Sequence, residues 1–189
     1  MKTFLKQLRP AIICLLAMTL ICGVIYTVLV TGIAQLAFSK QANGSIIAVS
    51  LEDGSKKSYG SALIGQEFTG SEYLIGRPMM VSNLSPNSTE QQALVQGRID
   101  WWKDLDPGSS ADIPIDLVTA SGSGVDPSIS PAAAKYQVPR IAAARNISED
   151  QVQAIIDKYT SGRFLGFVGE PSVNVLKVNL TLDGLSWTD

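Results

Sequence analysis

The sequence predicts an α+β protein, with one N-terminal transmembrane helix ahead of a small mixed domain. Three observations predict it. No Lys, Arg, Asp or Glu occurs from Pro10 to Ser39, and every acidic residue lies beyond Lys40. Past that point the chain breaks into short helical and strand periodicities punctuated by Gly, Pro and Asn. A chain of 189 residues holds one domain behind a membrane segment but is cramped for two. The expected organisation is a cytoplasmic stub over 1–10, a transmembrane helix over 11–38 and an extracytoplasmic domain over 39–189.

The apolar run is long enough to span. A hydrocarbon core about 30 Å thick is crossed by about 20 helical residues. A cleaved signal peptide is the rival reading, but its apolar stretch is shorter, at about 7–15 residues. Lys2, Lys6 and Arg9 precede the run and Lys40 alone directly follows it. The positive-inside rule therefore places the N-terminus in the cytoplasm and the domain outside, in a single-pass protein of a cytoplasmic membrane. Thr19, Gly23, Thr27, Thr31 and Gln35 recur every four residues as a small, polar stripe. Such a stripe either packs against a second helix, where small residues allow close approach and hydroxyl and amide groups bond across the contact, or arises by chance, with its hydroxyls bonding their own backbone.

Charge and composition exclude several functions. Three of the fifteen basic residues precede Lys40, leaving twelve against seventeen acidic side chains in the domain. An acidic domain lacks the footprint that nucleic acid requires. The chain has no histidine, which removes His-based triads and the commonest metal ligand. Its cysteines, Cys14 and Cys22, both lie in the apolar run, so the domain has neither a disulfide nor a thiol nucleophile.

The domain elements follow in order. Ile46 to Val49 reads as a strand, with Asp53-Gly54 as its turn and a return near Lys57 to Tyr59. Gly60, Gly65, Gly70 and Gly76 punctuate an irregular stretch ending at Arg77-Pro78. From Ser88 to Leu105 the pattern is helical, with Leu94, Val95, Ile99, Trp102 and Leu105 on one face and Asp106-Pro107-Gly108 as the stop. Ile113 to Thr119 reads as a short strand. Ser130-Pro131 starts a helix that Pro139 interrupts and that ends near Arg145. Ser148 with Gln151 forms a capping box before Val152, Ile155, Ile156 and Tyr159, and Gly162 ends that helix. Asn174 to Leu182 alternates apolar and polar residues and reads as a half-buried strand.

The chemistry is sparse. Neither G-x-x-x-x-G-K-[ST], G-x-S-x-G nor S-x-x-K occurs. Ser121-Gly122-Ser123-Gly124 either presents backbone N–H groups to an anion or forms a tight turn. Asp126 either touches a cation or caps a turn. Arg140 and Arg145 either pair with acidic groups on a partner or lie on a solvated helix face.

These residues carry a family resemblance. The run Leu117-Val118-Thr119-Ala120-Ser121-Gly122-Ser123-Gly124-Val125-Asp126 is followed by Ile129-Ser130-Pro131-Ala132-Ala133-Ala134 and Tyr136-Gln137-Val138-Pro139-Arg140. Together they resemble the C subunits of potassium-transporting Kdp ATPases (the KdpC family). Gln41 to Ser45, Gly60 to Gln66, Phe68, Gly76-Arg77-Pro78, Gly169-Glu170-Pro171 and Val173 to Leu176 extend the resemblance over nearly the whole chain. One departure is the segment from Met79 to Asn87, which is short against the family pattern.

The resemblance implies an accessory role inside a bacterial high-affinity potassium uptake pump. The implied partners are a channel-like, potassium-binding A subunit, a P-type ATPase B subunit and a small F subunit, with membrane lipid around the span. The C subunit supports assembly and raises the ATP affinity of the B subunit, without catalytic or metal-binding residues of its own. No cofactor is expected to bind tightly, and ATP is reached through the complex. Thr119, Ala120, Ser121, Gly122, Ser123, Gly124, Asp126, Gln137, Pro139 and Arg140 are the motif positions that become candidates for nucleotide or partner contact. Nucleotide binds on the cytoplasmic side, where this chain places only a stub, so an effect on ATP affinity is expected to be indirect. The competing class is a signal-anchored extracytoplasmic enzyme or binding module, and an enzyme would need an activated nucleophile or a perturbed acid pair.

Overall fold

The computed structural model describes residues 2–50 and 55–188. The chain divides into two compact units, Met1–Ser45 and Ile46–Asp189. The expected turn at Asp53-Gly54 lies outside the described residues.

The first unit is helical. Helix α1 (Lys2–Met18) passes into a π-helical stretch, Thr19–Tyr26, and on into α2 (Thr27–Ala37), with the short turn α3 (Ser39–Ala42) after it. Helical structure thus begins within the predicted stub and runs through Pro10. Residues Lys6–Ala37 form one continuous helical stretch whose apolar 18-residue window has a mean hydropathy of 2.6, long and apolar enough to cross a membrane. The π turn matches the Thr27 hydroxyl, which donates to the Cys22 carbonyl five residues back at 3.2 Å.

The second unit mixes helices with two small antiparallel sheets. Strands β1 (Ile46–Ser50) and β2 (Lys56–Ser61) form the expected hairpin, and β6 (Trp187–Thr188) covers the other edge of β1. Helix α4 (Thr89–Leu105) starts where the Ser88 hydroxyl accepts the Gln91 N–H. The second sheet orders β3 (Ser128–Ile129), β5 (Ser172–Asn174) and β4 (Thr160–Ser161), with β5 central. Between its strands lie α5 (Pro131–Tyr136), α6 (Val138–Arg145) and α7 (Glu149–Lys158). Ser130 caps α5, Gln137 is the joint before Pro139, and the Ser148–Gln151 capping box is present on α7.

Two expected strands are not strands. Residues 113–119 carry a single 3-10 turn, Ile115–Leu117. Pro114 supplies no N–H, its carbonyl accepts the Leu117 N–H, and side chains take the carbonyls that a ladder would use. The Trp102 indole donates to the Leu117 carbonyl at 3.1 Å, and Arg98 donates to that of Val118 at 2.9 Å.

The second departure is larger. Residues Val175–Leu182 form helix α8, with the Asn174 side chain accepting the Lys177 N–H as its cap. The helix lies between two apolar clusters. Val175 and Val178 join the main core around Trp102, Ile141 and Val173, whereas Leu176 and Leu180 pack with Ile47 in a smaller one. A helix buried on two sides carries apolar residues all round, and in sequence that looks like alternation.

Candidate functional site

The polar interior organises the irregular stretch after Gly70. Gln137 is 0 % exposed, Asn179 1 % and Arg140 7 %. The Asn179 amide accepts the Leu74 N–H at 2.8 Å and donates to the Leu74 carbonyl at 2.9 Å. Gln137 does the same for Ile75, at 2.8 Å and 3.0 Å. Two side-chain amides therefore replace the strand neighbours that this segment lacks, leaving no buried backbone group of Leu74 or Ile75 unpaired.

Arg140 and Arg145 complete that frame. Arg140 donates to the carbonyls of Ser71 and Tyr73 and, at 2.7 Å, to Gln137 Oε1. Its Nε has no partner, and its guanidinium lies 5.7 Å from the Trp102 ring centre. Burial pushes the Arg140 guanidinium down to about 10, against the opposing pull of Asp106, Tyr136 and Glu72. It stays charged at neutral pH. Arg145 donates to the carbonyls of Glu72 and Leu182, each at 2.6 Å, and pairs with Asp183 at 2.7 Å. Neither arginine lies on a solvated helix face: each ties its helix to residues 70–74. Pro139, beside Arg140, is exposed.

The frame positions Arg77, which holds the motif loop. Arg77 donates to the carbonyls of Thr119 and Ala120 at 3.3 Å and lies 3.9 Å from Asp126. Within the loop, the Gly124 N–H donates to Ser121 Oγ at 3.0 Å and the Val125 N–H to Ser123 Oγ at 3.3 Å. Asp126 accepts the Ser128 N–H at 3.0 Å. Backbone closes in from both sides, where Gly65 donates to the Val125 carbonyl and Met80 to that of Gly124. At Gly124 φ is +69°, and an added Cβ would meet Val81 N at 2.9 Å, so only glycine fits there without a shift.

The predicted positions therefore separate into two groups. Thr119 to Asp126 form one surface loop, with Gly122 and Ser123 exposed and Gly124 buried. Gln137 and Arg140 act from inside, on the segment that leads to Arg77. Sequence reasoning missed Arg77 and Asn179 as organisers. Asn179 carried a signal, because it is an amide in the middle of an apolar run with no turn residue beside it. A groove of about 440 Å³ adjoins this region, lined among others by Phe68, Arg77, Leu94, Arg98 and Trp101.

In the helical unit, Thr19 and Gly23 share a face: a Cβ on Gly23 would lie 3.8 Å from Thr19 Cγ2. Gln35 bonds within the chain, exchanging amide hydrogen bonds with Asn43 at 3.1 and 3.3 Å.

The family model described as KdpC, K+-transporting ATPase, c chain, matches residues 8–184. The potassium-transporting ATPase KdpC subunit of Listeria monocytogenes is 55% identical over 188 residues, covering 98% of this chain and 99% of the relative. Those of Clostridium perfringens and Clostridium botulinum are 50% and 47% identical, covering 96% and 98% of this chain and 98% and 99% of the relatives. Spanning the helical unit and nearly all of the domain, these matches show that the chain belongs to the KdpC family of K+-transporting ATPase c chains.

Proposed function

We propose that this chain is the non-catalytic, single-pass C subunit of a bacterial potassium uptake pump, supporting assembly of the complex and raising the ATP affinity of its catalytic subunit. The observation that carries the proposal is the family match over residues 8–184, which takes in both units. Its partners in this reading are the channel-like A subunit, the P-type ATPase B subunit and the small F subunit. The stub faces the cytoplasm and the domain faces outward, a reading supported by Lys2, Lys6 and Arg9 ahead of the uncharged run. The absence of histidine, and of cysteine beyond Cys22, supports a role without chemistry of its own.

The effect on ATP is indirect: the subunit favours a pump conformation that binds ATP better. Hydrogen bonding in the motif loop supports this. The Gly124 and Val125 N–H groups are taken by Ser121 and Ser123, and Arg77 by carbonyls, which leaves fewer donors in the loop for a phosphate. The loop and the outer face of Pro139 are then surfaces for partner subunits. The test is an ATP titration of hydrolysis by the complex with and without this chain, in sealed vesicles of known orientation. A higher KM for ATP without the chain supports the proposal. Crosslinking of an ATP analogue to residues 119–140, with nucleotide only on the cytoplasmic side, would overturn both the indirect effect and the orientation.

A further inference from the structure

Beside the motif loop lies the groove of about 440 Å³, a volume that suits a small organic molecule. Its floor is apolar and buried, formed by Ile75, Trp102 and Leu117. Its outer wall is helix α4. Sequence periodicity puts Leu94 on the core face together with Val95, Ile99 and Trp102. In the structure those three pack into the core, but Leu94 turns out and is 43 % exposed. Trp101 is 40 % exposed. Leu94, Gly97 and Trp101 fall at i, i+3 and i+7, so they form a second stripe along α4, and that stripe lines the groove. Gly97 keeps its middle open: a Cβ there would meet nothing within 4 Å.

The charged groups select the occupant. Two guanidinium groups reach the groove, and they differ. Arg77 is committed to the carbonyls of Thr119 and Ala120 and lies beside Asp126. Arg98 donates from Nη1 to the Val118 carbonyl at 2.9 Å, and its Nε and Nη2 have no acceptor among the described residues. It forms no ion pair among them either. Burial pushes this guanidinium below its ordinary value, and no carboxylate opposes the shift. Glu67 also lines the groove, but as an exposed side chain with no ion pair to either arginine. A partly buried guanidinium with free donors, set beside aromatic and aliphatic surface, fits a two-oxygen acceptor carried on an apolar body. One unpaired positive charge matches a carboxylate, whereas a phosphate dianion would bring a second charge with nothing to balance it.

We propose that the groove formed by α4 and residues 66–79 binds a small amphipathic carboxylate, its acid group paired with Arg98 and its apolar body along Leu94, Gly97 and Trp101. Arg98 and Arg77 hold the successive carbonyls of Val118, Thr119 and Ala120, so an occupant bears directly on the start of the motif loop. The test uses the full chain in lipid nanodiscs, with para-trifluoromethyl hydrocinnamate as the probe and fluorine NMR line broadening read against empty nanodiscs. The acid is expected to bind saturably, and its primary amide, alike in shape but uncharged, about tenfold more weakly. Arg98→Gln should lower the affinity for the acid to that for the amide and leave the amide unaffected. Gly97→Leu retains Arg98 and fills the groove from a position with open space around its Cβ. It should abolish binding of both compounds while keeping the denaturant midpoint at or above that of the unsubstituted chain. Displacement of the probe by octanoate or by hydrocinnamate supports the site, and the better competitor tells an aliphatic from an aromatic acid. No saturable broadening beyond that of empty nanodiscs overturns the proposal. So does equal affinity for acid and amide, or undiminished binding to Gly97→Leu at unchanged stability, which would place the probe elsewhere.

Discussion

Single side chains in this domain do work usually left to strands. Gln137 and Asn179 each satisfy both backbone groups of one residue, in a segment with no ladder of its own. Gln137→Leu would strand the Ile75 N–H and carbonyl and deprive Arg140 of an acceptor. We expect a loss of about 3 kcal/mol, against about 0.5–1 kcal/mol for Ser121→Ala in the exposed loop. Denaturant titration of the full chain in detergent, followed by tryptophan emission, measures both. Tyr73 gives a pH signature. Burial, then Asp183, raises its hydroxyl above the ordinary 10.0, so folding favours the protonated form. Its contribution is complete below pH 10.0 and is lost as pH rises through the higher folded value. Tyr73→Phe should therefore lessen the decline in stability on the alkaline side and leave the neutral range nearly unchanged in slope. Arg140 adds no slope near neutrality, because its lowered value of about 10 leaves it charged in both states there.

At the scale of elements, the legible parts were those with local punctuation. Helices α4, α5 and α7 each begin at a serine cap, and α4 and α5 stop where proline or a polar turn ends the pattern. Helix α8 was misread because periodicity reports how many faces are buried, not only which element is present. Its apolar residues serve two clusters at once, so Leu176, Val178, Leu180 and Leu182 imitate a strand. The Asn174 cap was the available correction. Residues 113–119 failed for another reason: the carbonyls of Leu117 and Val118 are claimed by Trp102 and Arg98, contacts distant in sequence. In the apolar N-terminal helix, Gly23 sits over Thr19 with room for a close neighbour. We expect Gly23→Leu to insert normally but to reduce recovery of partner subunits, as judged by carbonate extraction beside affinity purification. Undiminished recovery would remove the stripe from the account.

For the whole molecule, the sequence announced a long apolar N-terminal helix and a small mixed domain of helices and sheet, and motif residues 119–126 proved to be one loop. What the sequence hid was hierarchy. Gln137, Arg140, Arg145 and Asn179 are all far in sequence from residues 70–75, yet all converge on them, and through Arg77 that segment holds the loop. Such convergence depends on packing, which periodicity does not encode. The central claim is that the chain works as a subunit of a potassium pump. It is tested most directly by affinity purification of the tagged full chain from mild-detergent membranes of potassium-starved cells, with subunit identification and an ATPase assay. The account predicts recovery of a channel-like subunit and a P-type ATPase together, with potassium-stimulated hydrolysis. Recovery of the chain alone, under conditions that keep other membrane complexes intact, would contradict it.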